Sequence, residues 1–223
     1  PITMKFTRSV PVEKPEDAGD DWKQEYREED EVRTVNSMVP IWTRKKSEVT
    51  DEEYNEFYKT TFRDDADPAA VISIHAEGTI SYDALLFIPS HVPREMLTRG
   101  FKKGLMLYSS NVMIMEKCEE LLPDYFGFVR GVVDSPDLSL NISREMLQQS
   151  RELSAIQRRI EKKVKGELEK MRDEDREKYE QVYRFFGPNF KFSIYSTYGG
   201  TSQILSDLLM FPSVKEGKLV TLE

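Results

Sequence analysis

The sequence predicts a mixed α/β protein, because short strand-like patterns fill its first part and a long helical pattern follows them. Alternating or continuous apolar runs typical of strands occur at 71–76, 82–88, 105–109 and 112–115. From residue 153 to residue 171, apolar side chains instead recur every three or four positions, which is the α-helical period. The stripe consists of Leu153, Ile156, Ile160, Val164, Leu168 and Met171.

The strand pattern begins at the first residues and is interrupted early. Residues 1–10 alternate apolar and polar side chains, as an amphipathic strand does. Residues 10–31 are polar and acidic without periodicity, which predicts a variable, solvated insertion before a strand resumes at 31–39.

Local signals place the helix boundaries. Thr50-Asp51-Glu52-Glu53 is a capping box, and it predicts a helix with an aromatic face that ends near Arg63. A short helix is expected around 121–128, and residues 131–133 return to the sheet. Asp173-Glu174-Asp175 should end the long helix and cap another, which is predicted to stop at Gly187-Pro188.

Composition excludes several classes of protein. The net charge of −8 argues against broad binding to nucleic acid or anionic membranes. A single cysteine, Cys118, excludes an internal disulfide and is expected to be a packing residue, and two distant histidines make a metal site improbable. No signal peptide or membrane-spanning run is evident, so a cytoplasmic location is expected. Because the chain starts at Pro1 without Met, we expect it to be part of a longer protein.

Motifs of a self-contained enzyme are missing. The sequence contains neither GxGxxG nor GxxxxGK[ST], the two common phosphate-binding loops. Its two histidines, His75 and His91, do not form a recognisable set with serine or cysteine nucleophiles. We therefore expect the chain alone to be inactive.

The stretch 134–150 carries the most specific pattern. A turn-rich segment leads into a predicted helix whose N-cap is Asn141 or Ser143. Arg144 and Gln148, four residues apart, point the same way from the start of that helix, an arrangement that suits an incoming anionic group. Spacing alone leaves a plainer alternative open, in which Arg144 is a solvated surface residue and Gln148 an ordinary helix former.

Residues 131–135, 137–138 and 140–149 resemble the catalytic-loop signature of the heat-shock protein 90 chaperones, including the bacterial HtpG type. Further stretches agree in order and spacing, at 39–44, 52–59, 84–89 and 119–123. The resemblance is to the middle domain of that family. It implies a large three-layer α/β sandwich over 1–142, a helical connector over 143–188 and a small α/β subdomain over 189–223.

The resemblance also implies a catalytic role within a longer chain. An N-terminal domain of such a chaperone binds ATP and Mg²⁺, and a C-terminal domain forms the homodimer. By the same resemblance, Arg144 reaches the γ-phosphate of ATP, and Asn141 and Gln148 help to hold that contact.

Binding of client proteins, meaning unfolded or partly folded polypeptides, is the second implied role. It is assigned to Trp42 and to an amphipathic segment, 89–104, that contains Met96, Leu97 and Phe101. Two alternatives stay open: Trp42 simply covers the sheet, or the whole chain is a stand-alone interaction scaffold without an ATPase partner.

Overall fold

The computed structural model describes residues 3–11, 26–34, 39–138 and 150–221. The chain divides into two compact units, Pro1–Pro40 and Ile41–Glu223. In the first unit, β1 (Thr3–Pro11) pairs antiparallel with β2 (Tyr26–Thr34). The predicted acidic insertion, 10–31, is therefore wrong at both ends, because β1 extends to Pro11 and β2 begins at Tyr26. This second strand can hold charged residues because Arg27, Glu28, Asp30 and Glu31 are exposed, and Asp30 pairs with Lys5 at 2.7 Å. The rest of that insertion, 12–25, lies outside the described residues.

The second unit is built on a five-stranded sheet with the order β3-β4-β7-β5-β6. Its strands are β3 (Ala70–Ala76), β4 (Tyr82–Ile88), β5 (Leu105–Ser109), β6 (Val112–Cys118) and β7 (Arg130–Asp134). Neighbours are antiparallel except for β5 and β7, which run parallel. The strands that the sequence predicted for this sheet are confirmed, whereas the strand predicted at 31–39 lies at Tyr26–Thr34.

Helices cover both faces of this sheet, so the α/β sandwich has three layers. Successive side chains of a strand point to opposite faces. On β4, Leu85 and Phe87 pack with Tyr54 and Tyr58 of α1 (Asp51–Phe62). The alternate residues Ala84, Leu86 and Ile88 share the other, larger core with the apolar stripe of α2 (Arg151–Glu174), whose six predicted members are all buried.

The predicted capping box at the start of α1 is present. The Glu53 N–H donates to Thr50 Oγ1 at 3.2 Å, and the Thr50 N–H donates to Glu53 Oε2 at 3.0 Å. This bond from the Thr50 backbone, together with one from Arg44, lowers the pKa of the Glu53 carboxyl. The helix ends where Arg63 adopts a left-handed conformation with φ of 52°. The helix expected around 121–128 is instead two 3₁₀ turns, Glu119–Leu121 and Asp124–Phe126, because Pro123 separates them.

The predicted helix end at Gly187-Pro188 is wrong. Asp175 caps α3 as expected, but α3 (Arg176–Ser196) runs through Pro188. A proline there removes the N–H that would bond to the Arg184 carbonyl, yet Arg184 is exposed and water can satisfy its oxygen. Phe190, just beyond, is buried against aromatic rings at centroid distances of 5.9 Å (Phe126) and 6.1 Å (Phe128), and this packing holds the helix together.

The last part of the chain packs on the same core. It contains α4 (Ser202–Leu205), a 3₁₀ turn (Ser206–Leu208) and the two-residue strands β8 (Phe211–Pro212) and β9 (Leu219–Val220). The Tyr183 hydroxyl donates to the Met210 carbonyl at 2.9 Å, which joins this part to α3. Because α3 crosses residue 188, the predicted boundary there lies within a helix, and the division into subdomains stays a prediction. No helix of the described residues is long and apolar enough to cross a membrane.

Candidate functional site

The residues predicted to act on ATP lie outside the described part of the chain. Asn141, Arg144 and Gln148, and the predicted N-cap at Asn141 or Ser143, belong to the segment 139–149, which we call the catalytic-loop segment. The structure does describe the residues that enter and leave this segment. Those flanking residues hold the two ends of the segment in place.

Asp134, the last residue of β7, is the first fixed point. It is buried, and its carboxylate accepts hydrogen bonds from the Trp42 indole Nε1 at 3.1 Å and from the Asn111 N–H at 3.0 Å. The next residue, Ser135, donates its N–H to the Tyr108 carbonyl at 3.1 Å. The bonds with Asn111 and Tyr108 hold the end of β7 against the β5–β6 hairpin, and the bond from Trp42 ties the same carboxylate to the 3₁₀ turn Ile41–Thr43.

The β3–β4 turn and the end of β5 hold the following residues. The Ser135 hydroxyl donates to the Ser81 carbonyl at 2.7 Å, and the Ser81 N–H donates to Asp137 Oδ2 at 2.7 Å. The Ser109 hydroxyl donates to the Leu138 carbonyl at 2.6 Å, and the Leu138 side chain is buried. The segment 134–138 is thus anchored to neighbours on both sides of β7.

The exit from the catalytic-loop segment is equally well defined. Ser150 is the N-cap of α2 and accepts a hydrogen bond from the Leu153 N–H at 3.1 Å. Leu153 and Ile156 in the first turns are buried in the main core. Eleven residues, 139–149, therefore connect a buried strand end to a capped, buried helix start.

Trp42 lies at the fixed end of β7 and not on an open surface. Its half-buried ring packs against Tyr108 at a centroid distance of 4.9 Å and against Phe57 at 6.1 Å. These contacts and the bond to Asp134 give Trp42 a structural role. Its predicted role in binding clients stays a prediction.

The other predicted client-binding residues differ in their exposure. Leu97, in the 3₁₀ turn Arg94–Leu97, is 76% exposed, whereas Met96 is half-buried against the main core. Phe101 is half-buried, and its ring lies over two cations, Lys117 Nζ at 5.8 Å and the Arg130 guanidinium at 5.7 Å from the centroid.

A charged cluster that the sequence did not reveal holds this segment to the sheet. Arg130 of β7 is buried and forms an ion pair with Glu95, whose Oε1 also lies 3.5 Å from Lys117 Nζ. Burial lowers the pKa of the Arg130 guanidinium, while Tyr58 and Asp64 nearby act in the opposite direction. The only signal in the sequence is an arginine directly before the apolar residues of β7.

A groove of about 520 Å³ separates the predicted client-binding segment from α3. Met96 and Phe101 line one side, and Phe192 of α3, which is 69% exposed, lines the other. Nothing in the sequence indicated that Phe192 faces this groove, because the helix end expected at Pro188 separated it from the helical pattern. Within the described ranges, no cluster of three or more His, Cys, Asp or Glu side chains could hold a metal ion.

Comparisons with known proteins agree with this geometry. The family model described as Hsp90 protein matches residues 5–223. The chain belongs to the Hsp90 family. This Hsp90 protein is 48% identical over 222 residues to the chaperone protein HtpG of Clostridium botulinum (strain 657 / Type Ba4). It is 50% identical over 222 residues to the chaperone protein HtpG of Clostridium perfringens (strain 13 / Type A). Each alignment covers 100% of this chain and 34% of the relative, so the chain spans about a third of their length.

A solved structure identifies the part of Hsp90 that this chain represents. The middle domain of a Plasmodium falciparum heat shock protein matches with a TM-score of 0.71 and 28% sequence identity, covering 82% of this chain and 71% of that one. The chain is therefore an Hsp90 chaperone middle domain with the α/β fold that the sequence predicted.

Proposed function

We propose that this middle domain works in an ATP-dependent chaperone, where it binds client proteins and supplies Arg144 to an ATPase site on an N-terminal domain. The observation that carries the proposal is the anchoring of the catalytic-loop segment at Asp134–Leu138 and at Ser150. A segment that must present a guanidinium to another domain needs both ends fixed on rigid elements.

Arg144 would act by stabilising charge on the transferred phosphoryl group. Its planar guanidinium can form two hydrogen bonds with phosphate oxygens, and the effect is largest in the transition state. Asn141 and Gln148 would position it. ATP and Mg²⁺ would be bound by the N-terminal domain, so this chain contributes only the contact with the γ-phosphate and hydrolyses no ATP by itself.

Client binding would use Leu97, Met96 and Phe101 together with Trp42. The exposure of Leu97 and the groove between Phe101 and Phe192 support this part of the proposal. Methionine and aromatic side chains adapt to many partners, which suits partly folded proteins of varied sequence. The full-length protein would be a cytoplasmic homodimer, and the greater length of the relatives favours this role over a stand-alone scaffold.

The test is ATP turnover by the full-length protein carrying Arg144→Ala. We expect turnover to fall about ten-fold or more with nearly unchanged affinity for ATP, because the lost interaction is made mainly in the transition state. Arg144→Lys should restore part of the rate, since an ammonium keeps the charge but not the planar fork.

The matched control is Arg151→Ala, which removes an exposed arginine from the first turn of α2. It should leave turnover at the level of the parent protein. Parent-level turnover in Arg144→Ala would reject the catalytic role, and an equal loss in Arg151→Ala would show that the effect is not specific to position 144.

A further inference from the structure

We propose that the outer edge of β3 binds an extended, acidic segment of a partner polypeptide as an additional strand. In the order β3-β4-β7-β5-β6, β3 is terminal, and no strand among the described residues pairs with its outer edge. The free edge of such a strand presents backbone N–H and C=O groups that can pair with another chain.

A groove follows this edge for its whole length. It measures about 850 Å³, and its floor includes six consecutive residues of β3, 71–76. Its wall is formed by residues of α2 between Arg159 and Glu167 and by Lys46. A second hollow of about 350 Å³ shares Lys46, Val71 and Glu167 with it, but Asp51, Glu174 and Asp175 also line that hollow, so the acidic occupant is placed in the larger groove alone. An extended segment of about six residues, the usual length of a strand, fits along the larger groove.

The groove is positively charged in a protein that is acidic overall. Four cations line it, Lys46, Arg159, Lys162 and Lys163, against the single carboxylate of Glu167. All four are exposed, whereas the chain carries a net charge of −8. The three lysines form no ion pair with a carboxylate of the described residues. This local excess of positive charge favours an acidic occupant.

Gly166 independently indicates that the backbone of another segment can approach α2 closely. It lies in the interior of the 24-residue helix α2, where glycine is less favourable than alanine, and it lines the groove. A Cβ atom at this position would meet nothing within 4 Å, so packing inside the chain does not require glycine. The open space beside Gly166 is therefore available to the backbone of an added segment.

The faces of β3 predict the sequence pattern of the occupant. Ile72 and Ile74 point into the core beneath α2, whereas Val71, Ser73 and His75 have the opposite parity, and Val71 packs toward α1. Side chains of an added strand alternate in the same way. Every second side chain of the occupant would then face the cations of α2, and we expect those positions to be acidic.

The probe is a fluorescein-labelled seven-residue peptide that alternates threonine and glutamate, titrated with this chain at low salt and followed by fluorescence anisotropy. A threonine–lysine peptide of the same length tests charge. A threonine–glutamate peptide N-methylated at alternate residues keeps the charge but loses backbone donors. We expect the glutamate peptide to bind, and both other peptides to bind at least about ten-fold more weakly.

Variants of the chain locate the site. Lys163→Glu should weaken binding of the glutamate peptide by about five-fold or more, whereas Lys215→Glu, which reverses an exposed charge outside the groove, should change it less than two-fold. Gly166→Ala should weaken binding although it favours helix formation, so a melting temperature that does not fall will separate this effect from misfolding.

Three results would overturn the proposal. One is the absence of saturable binding of the glutamate peptide, and another is equal weakening by Lys163→Glu and Lys215→Glu. The third is unchanged affinity of the N-methylated peptide, which would show a surface for polyanions in general, nucleic acid included, and not a site for an added strand. None of these measurements involves ATP or a client protein, so their outcome is independent of the function proposed above.

Discussion

Trp42 donates a hydrogen bond to the carboxylate of Asp134 across 92 residues of sequence, at 3.1 Å. The bond joins the residue predicted to bind clients to the strand end from which the predicted catalytic-loop segment starts. Asp134 is buried. If the Trp42 donor were lost, the Asn111 N–H would be the remaining donor to the Asp134 carboxylate among the described residues. A change at Trp42 should therefore affect both stability and the predicted ATPase role.

Trp42→Phe tests this link. The substitution keeps an aromatic ring against Tyr108 but removes the donor, so we expect a loss of about 1–3 kcal/mol in the free energy of unfolding by urea. In the full-length protein, ATP turnover should also fall. Tyr198→Phe, at a fully exposed tyrosine, is the control and should be neutral. Parent-like stability combined with lost client binding would instead make Trp42 a client-binding residue without a structural role.

Leu97 offers the cleanest test of client binding. Because it is 76% exposed, Leu97→Ser should change the free energy of unfolding by less than about 0.5 kcal/mol. Binding of a labelled, partly folded protein, measured by anisotropy, should weaken. Val214→Ser, at a fully exposed valine, serves as the matched control and should leave binding unchanged. Client affinity equal to the parent in Leu97→Ser would exclude this residue from the client surface.

Phe101 should behave differently, because its ring is half-buried over Lys117 and Arg130. Phe101→Ala should cost about 1–3 kcal/mol of stability through lost packing and lost cation–π contact. Phe101→Leu should recover the packing but not the interaction with the cations. Urea unfolding of the parent and of both variants at low and high salt separates the two contributions, and parent-level stability of Phe101→Leu would remove the cation–π contribution.

Two adjacent residues of α3 should respond to alanine in opposite directions. A Cβ on Gly187 would lie 2.7 Å from the Tyr183 ring, which the bond to the Met210 carbonyl holds in place, so Gly187→Ala should destabilise the protein by about 1–3 kcal/mol. Pro188→Ala restores a donor for the Arg184 carbonyl in an exposed helix and should raise stability by about 1–3 kcal/mol. Thermal melts of both variants check the signs, and a stabilising Gly187→Ala would contradict the described packing.

Cys118 should make stability depend on alkaline pH. Burial, reinforced by the Glu120 carboxylate, raises the pKa of the Cys118 thiol to about 12. In the unfolded chain the thiol loses its proton near pH 8.5–9 while the folded protein keeps it, so the unfolded state binds fewer protons and stability falls as pH rises. Between pH 9 and pH 10, the parent should lose about 1 kcal/mol more than Cys118→Ala in urea unfolding. Identical pH profiles would show that the thiol is accessible to ionisation in the folded state.

The sequence determined the elements whose cause is local. Alternation predicted β3, and continuous apolar runs predicted β4 and β5, of which β4 is buried on both faces. The period of the stripe predicted α2, because one face of that helix must be buried. The capping box at Thr50 and the N-cap at Asp175 fixed helix starts, since side-chain acceptors satisfy N–H groups within three residues. The family resemblance, carried mainly by 131–149, gave the fold class that the comparisons confirmed.

Only the tertiary structure decided features that depend on residues far apart in the sequence. Pro188 predicts a helix end from local rules, but burial of Phe190 against two rings of another segment continues α3 through it. The partnership of Glu95 with Arg130 and that of Trp42 with Asp134 follow from the strand order of the sheet, which no local pattern specifies. The same order leaves β3 at the edge beside the cations of α2. Hydrogen bonds and charge contacts between distant residues depend on which strands are adjacent in the sheet. Local sequence patterns do not specify that strand order.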